Sequence, residues 1–463
     1  MIDTNTAHAK HEFVQQGDTH KSGLQTRKSK SLSNEAQTWL KRDANVFLHQ
    51  ALSTPVMNVI DRAEGAYIVD IDGNRYLDLH GNGVHNIGYN NEEVSSAIIH
   101  QLTEQLSFAP RRYTAKVTVQ FAEKLVGLAP EGLDRLLLCP GGSEAIEMAV
   151  MLAKHITGKW KTLSFWNQYH GNTFQAATLS GNEHFTAGLG PMVPGAFHVH
   201  YPNYYRNPWN INPAEQEKID ECYLDQIRTI FRYNPDIAAI VGTTISSTPC
   251  VPSEYFWSEV RNLCDAHDTF LIFDEIVCGL GRTGKLFACE HYVTPDVLVL
   301  GKALGGGILP MAGMLTSESN NTVADYSIGH FTHEKSPISA AAGLAMLNYM
   351  SDQHLIENAQ KMGDYLLDGF RQLQDHYPTI GKVEGKGLLL SLDLLKDTTT
   401  RERNPALANA LLAYGLDHGL SFKIIDTNVV TLRPALIIGQ AEADFILDTF
   451  SSAFAYCSTD TIP

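Results

Sequence analysis

The sequence predicts an α/β fold in which a mostly parallel sheet is wrapped by helices and joined to a smaller α+β domain built from both chain ends. Three observations predict it. From about residue 115 the runs RLLLC, KTLSF, IAAIVG, TFLIFDE, VLVLG and MAGML alternate with helical stretches such as AIEMAVMLAKHI and SEVRNLCDAHD. Each run is apolar nearly throughout, which is the pattern of a strand covered on both faces of a parallel sheet. After about residue 345, helical periodicity leads into GLLLSLDL and VVTLRPALII, which read as strands of a second, smaller unit.

Near the other end, GAYIVDIDGNRYLDLHGNG (65–83) alternates apolar and polar residues around Asp72-Gly73, a hairpin signal. The expected division is a mobile arm at 1–35, an N-terminal segment of the small domain at 36–90, a large ligand-binding domain at 91–345 and the C-terminal part of the small domain at 346–463.

Composition excludes several function classes. A formal charge of −16 argues against a nucleic-acid partner, whose binding rests on clustered Lys and Arg. The acidity reads most simply as solubility, and it leaves any anionic substrate to a local basic pocket. The seven cysteines form no CxxC pair and no regular spacing, which suits a reducing compartment. The first 35 residues lack an apolar core of the secretory type, and no run of about 18 apolar residues occurs. The expectation is a cytoplasmic protein with no membrane partner and no metal.

In an open parallel sheet, ligands sit beyond the carboxyl ends of the strands, so the residues just after the apolar runs bear the chemistry. Lys302 follows VLVL and precedes Gly305-Gly306-Gly307. A desolvated strand-end amine has a lowered pKa and is nucleophilic toward an aldehyde. Asp274 ends TFLIF, where a carboxylate is costly unless it meets a cation or caps the next helix. In CPGGSEA (139–145), Gly141, Gly142 and Ser143 can aim N–H groups and a hydroxyl at a phosphate on a helix N-terminus. Ser143 as an ordinary N-cap is the plainer reading of the same residues. Tyr169-His170-Gly171 follows KTLSFWNQ, where an aromatic ring can stack on a planar ligand or simply pack in the core. GLGRTG (279–284) matches GxGxxG, but a poor helix follows and the next strand ends in Lys302 rather than an acid. A dinucleotide site is rejected on that ground.

Taken in order, GSEA (142–145), YHG (169–171), DEIVCGLGRTG (274–284), LGKALGGG (300–307) and a threonine-led loop before Pro337 resemble class III aminotransferases. The likeness runs from about Val56 to Ile438. It implies the fold type I architecture of pyridoxal-phosphate (PLP) enzymes, with a seven-stranded sheet, and a homodimer whose active sites are shared between subunits. It implies that Lys302 carries PLP as a Schiff base. Asp274 would pair with the pyridine nitrogen and keep it protonated, which makes the ring an electron sink. Tyr169 would stack on the ring, Gly142 and Ser143 would hold the phosphate, and Thr332 would reach the phosphate from the neighbouring subunit. Arg433, in TLRPALI, occupies the place of the substrate-carboxylate arginine.

The departures bear on the reaction. The family's Val-Glu-Pro before the DE strand is replaced by GTTISSTPC (242–250), so Thr243 stands where a glutamate is expected. In the family that glutamate can neutralise the arginine when an uncharged amine is bound, and its loss leaves Arg433 permanently seeking an anion. Val277 stands where many members have Gln, and GYNNEEV (88–94) and FTHEKSP (331–337) are also unusual. Arg111, Arg112, His333 and Lys335 are further candidates for an anion cage, with solvated surface charges as their plainer reading.

A pocket that always favours an anion fits a one-substrate lyase better than a two-substrate transaminase. Family lyases act on small phosphate- or phosphonate-bearing amines, and the resemblance implies elimination from (R)-1-hydroxy-2-aminoethylphosphonate to give phosphonoacetaldehyde and ammonia. The alternatives are an ω-amino or aminophosphonate transaminase, an ethanolamine-phosphate phospho-lyase, or a catalytically idle binding protein on the same fold.

Overall fold

The computed structural model describes residues 32–48, 50, 57–246, 248 and 250–458, without the side chain of residue 184. Of the arm expected at 1–35, residues 1–31 lie outside the described residues. Ser33 caps the helix Asn34–Val46, its Oγ accepting the Ala36 N–H at 3.1 Å.

Sixteen strands are described. They are β1 (Ile60–Glu64), β2 (Tyr67–Asp70), β3 (Arg75–Asp78), β4 (Arg135–Cys139), β5 (Lys161–Phe165), β6 (Ala196–Val199), β7 (Ile237–Gly242) and β8 (Phe270–Asp274). Then follow β9 (Val297–Leu300), β10 (Ala312–Thr316), β11 (Ile380–Lys386), β12 (Leu389–Asp397), β13 (Glu402–Arg403), β14 (Leu420–Ser421), β15 (Lys423–Ile425) and β16 (Val429–Leu432).

The main sheet has seven strands in the order β4-β10-β9-β8-β7-β5-β6. Only β10 runs antiparallel to its neighbours. Every apolar run expected to be a strand is one, and β6 (AFHV) is a strand the patterning did not single out. The double burial has a direct cause. In β8, Leu271 and Phe273 face the helices Gln216–Tyr233 and Glu254–Ala266, while Ile272 faces the helix Gly142–Thr157. Burial of each such side chain contributes about 1.5–3 kcal/mol. The helix Gly142–Thr157 lies close on the sheet because Ala145, Ala149 and Ala153 present small side chains to it, all fully buried.

The expected hairpin forms, with β2 and β3 antiparallel in the register Tyr67↔Leu77 and Ile68↔Tyr76. β3 also pairs in parallel with β14, Leu77 opposite Leu420, so the two chain ends are hydrogen-bonded into one four-stranded sheet. A second small sheet has the order β11-β12-β16-β15. Two expectations are corrected. VVTLRPALII is a strand only through Leu432, because Pro434 cannot donate to a ladder. The helix Gly142–Thr157 is capped by Gly141, with no side-chain cap bond, rather than by Ser143. The boundary expected at 345/346 falls inside the helix Pro337–Asp352, which packs on the helices Glu92–Glu104 and Lys116–Leu128. GLGRTG forms consecutive turns with no helix opening on it, as its rejection as a dinucleotide site requires.

Candidate active site

The carboxyl ends of β4, β5, β7, β8 and β9 open on one cavity of about 230 Å³. Its lining includes Gly142, Ser143, Gln168, Tyr169, Thr243, Asp274 and Lys302. Six of the expected site residues therefore share one wall, delivered from five different strand ends.

Lys302 follows β9 by one glycine and adopts φ 49°, the left-handed region that costs a non-glycine residue roughly 1–3 kcal/mol. Burial pushes its ammonium down to about 8, with Arg433 and Lys423 acting in the same sense and Asp274 opposing them. Roughly a tenth of the amine is thus unprotonated at neutrality, far more than for an ordinary lysine.

Asp274 is buried at the end of β8 and accepts two hydrogen bonds. Its Oδ2 accepts from His170 Nδ1 at 2.7 Å, and its Oδ1 accepts from the Ile276 N–H at 3.1 Å. A carboxylate can only accept, so the proton of this pair sits on Nδ1. The His170 main chain is itself fixed, its N–H donating to Ser180 Oγ at 2.8 Å. Ser143 Oγ accepts the Asn172 N–H at 3.1 Å, which ties the helix start to the loop after β5. Gly171 makes that approach possible, since at its φ of 135° a Cβ would stand 2.8 Å from the Ser143 Cα. The first N–H groups of the helix Gly142–Thr157 have no acceptor within the helix and point toward this end of the sheet. Tyr169 is 44% exposed through the cavity mouth, its ring 4.4 Å from that of Phe185.

Arg433 follows β16 and is 6% exposed. It does not line the cavity but stands beside Lys302. A Cβ built on Gly83 (φ 72°) would lie 3.5 Å from Lys302 Cδ and 4.0 Å from Arg433 Nη1, so one glycine backbone separates the two cations. Burial and the charges of Arg433, Lys423, His85 and Lys302 hold His80 well below the usual imidazole range. Several cations thus act on this corner, with Asp78 accepting the His80 and Gly81 N–H groups beside them. Behind it Arg282, fully buried, donates from Nη2 to Asn86 Oδ1 at 2.7 Å and from Nη1 to the Leu388 carbonyl at 3.2 Å and the Pro434 carbonyl. The GRTG arginine therefore fixes the residue next to Arg433.

Arg111, Arg112, Thr332 and Lys335 do not line the cavity in this chain. Arg111 contacts His330 at 2.8 Å and Glu334 at 3.9 Å, and Arg112, Thr332, His333 and Lys335 are exposed.

The sequence profile described as aminotransferase class III matches residues 49–454. The chain belongs to the class III aminotransferase family. It is 36% identical over 462 residues to the (R)-1-hydroxy-2-aminoethylphosphonate ammonia-lyase of Vibrio splendidus (strain 12B01), covering 97% of this chain and 96% of that protein. It is 32% identical to the taurine–pyruvate aminotransferase of Bilophila wadsworthia, over 85% of this chain and 91% of that one. A PLP-bound amine transaminase from an uncultivated Pseudomonas species superposes with a TM-score of 0.83 at 29% identity, covering 89% of this chain and 99% of that chain.

The cofactor of this class III chain is pyridoxal phosphate. The residues present fit it. An amine of lowered pKa, a buried carboxylate held by a histidine and a glycine-started helix N-terminus converge on one cavity of suitable chemistry. Patterning missed three residues here. His170 sits in the quoted YHG motif but reveals its bond to Asp274 only in three dimensions. Gln168 and Lys423 carry no motif at all, and only the sheet order brings them near Lys302.

Proposed function

We propose that the chain is a PLP-dependent ammonia-lyase that takes (R)-1-hydroxy-2-aminoethylphosphonate to phosphonoacetaldehyde and ammonia. One observation carries this reading. Asp274 is the sole carboxylate among the described residues lining the cavity, and it is already engaged by His170 and the Ile276 N–H. Thr243, 8% exposed, occupies the place of the expected glutamate, so the described lining holds no second acid. A wall with one engaged acid beside the Lys302 amine suits an anionic amine better than a wall with a second carboxylate would. The similarity to the Vibrio splendidus ammonia-lyase over nearly the whole chain supports the same reading.

When bound, PLP supplies an electron sink for charge that develops on the amine-bearing carbon. Lys302, with its lowered pKa, takes the proton from that carbon. Asp274, oriented by His170, would pair with the pyridine nitrogen of the bound cofactor and keep it protonated. Arg433 and Lys423 hold the phosphonate, and hydroxide leaves the carbon that bears phosphorus. Net loss of water gives an enamine, and its hydrolysis yields the aldehyde and ammonia. Gly142 and Ser143 are the proposed phosphate ligands and Tyr169 the stacking ring. Thr332, Arg111, Arg112 and Lys335 are proposed as contributions across a homodimer with shared sites.

The test is incubation of the purified holoenzyme with hydroxy-aminoethylphosphonate, phosphoethanolamine and β-alanine, assaying ammonia, phosphate and keto-acid dependence together. Ammonia released from the first substrate without a keto acid is the expected result. Stoichiometric L-alanine or L-glutamate with no free ammonia would establish a transaminase instead, and inorganic phosphate from the second substrate a phospho-lyase.

A further inference from the structure

Gln168 lies one residue before the stacking tyrosine and is 4% exposed. Its Oε1 accepts the Thr243 N–H at 2.9 Å. That bond fixes the orientation of the amide, because a main-chain N–H can only donate and so must face the oxygen. The other end of the amide, Nε2, is buried and has no hydrogen-bond partner among the described residues. A buried donor left unsatisfied costs about 1–3 kcal/mol, so this amide is disposed to meet an acceptor in the cavities it lines.

The location says where that acceptor comes from. Gln168 lines the cavity that holds Lys302 and Asp274, and with Asn167 and Ser246 it also lines an adjoining cavity of about 170 Å³. It stands at the junction of the two, against the main chain of Thr243. Thr243 contributes an N–H to Gln168 and a carbonyl to the Tyr201 hydroxyl at 3.0 Å. A neutral amide donor thus faces the Lys302 cavity, whose other lining groups include the Lys302 ammonium, hydroxyls and the His170 Nε2, while Glu384, Asp393 and Asp426 line the adjoining one.

We propose that Gln168 is a specificity-determining residue whose Nε2 donates to an oxygen of the substrate's anionic group. The assignment rests on the anionic-amine reading of the site and names a contact within it. Gln168 acts as a two-sided bracket. Its oxygen holds the Thr243 loop, and its nitrogen reads the substrate.

Spectral titration of the holoenzyme with 2-aminoethylphosphonate and with n-propylamine tests this without relying on turnover. Gln168→Glu keeps the acceptor for Thr243 and loses the donor once ionised, so the titration is run at about pH 8.5, above the range of most buried carboxyls. Gln168→Met removes both ends. Both variants should weaken 2-aminoethylphosphonate by roughly 10- to 100-fold. The propylamine affinity, the retained cofactor and its resting absorbance should be unchanged. Preference for the phosphonate preserved in either variant overturns the donor role. Equal weakening of propylamine also overturns it, by assigning Gln168 to cavity shape alone. Lost cofactor or a shifted resting absorbance would place the acceptor on the cofactor, with the same consequence. A wild-type protein that binds both probes equally would instead refute the anionic-substrate reading itself.

Discussion

His170 Nδ1 lies 2.7 Å from Asp274 Oδ2, and both side chains are buried at the carboxyl edge of the main sheet. The histidine takes one carboxylate oxygen, the Ile276 N–H takes the other, and the residue lines the cavity. A charge-assisted bond of this kind is worth about 1.5–3 kcal/mol. Its removal should lower kcat by roughly 10- to 100-fold in His170→Phe with little change in KM. His170→Asn retains a donor and should recover part of the loss. Steady-state kinetics of the two variants, with cofactor content measured in parallel, check this.

Lys302→Ala should lower kcat by about 10²–10⁴-fold, the range of a positioned proton-transfer group. Borohydride treatment followed by peptide mass analysis should label position 302 in the wild type and nothing in the variant.

The ammonium of Lys302 is held at about 8, against an ordinary 10.5, chiefly by burial. In the cofactor-free protein its modification by a neutral aldehyde should therefore rise with a midpoint near pH 8. The sign for stability follows. The folded state binds fewer protons here than the unfolded chain between the two values, so this lysine adds stability as pH rises across that window. The contribution is lost as pH falls through 8. A thermal-shift comparison of wild type with Lys302→Met should show the two converging above about pH 10.

Arg433→Gln should raise KM for a phosphonate substrate by roughly 10- to 100-fold, with a smaller effect on kcat. A variant that loses kcat alone would assign Arg433 to the chemistry rather than to holding the anion.

Arg282→Met strands Asn86 Oδ1 and the carbonyls of Leu388 and Pro434 in the interior. Each unsatisfied acceptor costs about 1–3 kcal/mol, so the variant should unfold at markedly lower denaturant. Chemical denaturation monitored by tryptophan fluorescence measures it.

How much of this was legible in the sequence depends on the range of the interaction. The strands β4, β5, β7, β8 and β9 were readable because double burial makes each a local apolar run, and Lys302 and Asp274 were readable because they end such runs. β6 was missed because AFHV is only partly buried and carries a histidine. Of the two readings of Ser143, the capping one fails because Gly141 already adopts the extended cap geometry before the helix. The strand expected in VVTLRPALII stops at Leu432 because a local proline outweighs the apolar pattern around it. Gln168, Lys423 and the role of Arg282 were illegible because each depends on partners brought together by sheet order rather than by spacing. Gln168 and Thr243 are 75 positions apart, yet adjacent strands β5 and β7 make them neighbours.

Arg282 also has a consequence for how the chain is made. Pro434, one of its acceptors, comes 152 positions later. A nascent polypeptide therefore exposes the motif, and the lysine of position 302, well before the arginine of position 433 has left the ribosome. Closure over such a sequence distance is slow compared with local folding. The half-made protein should therefore carry the lysine without the burial and neighbouring charge that lower its pKa, and the reactive amine is a late acquisition of the growing chain.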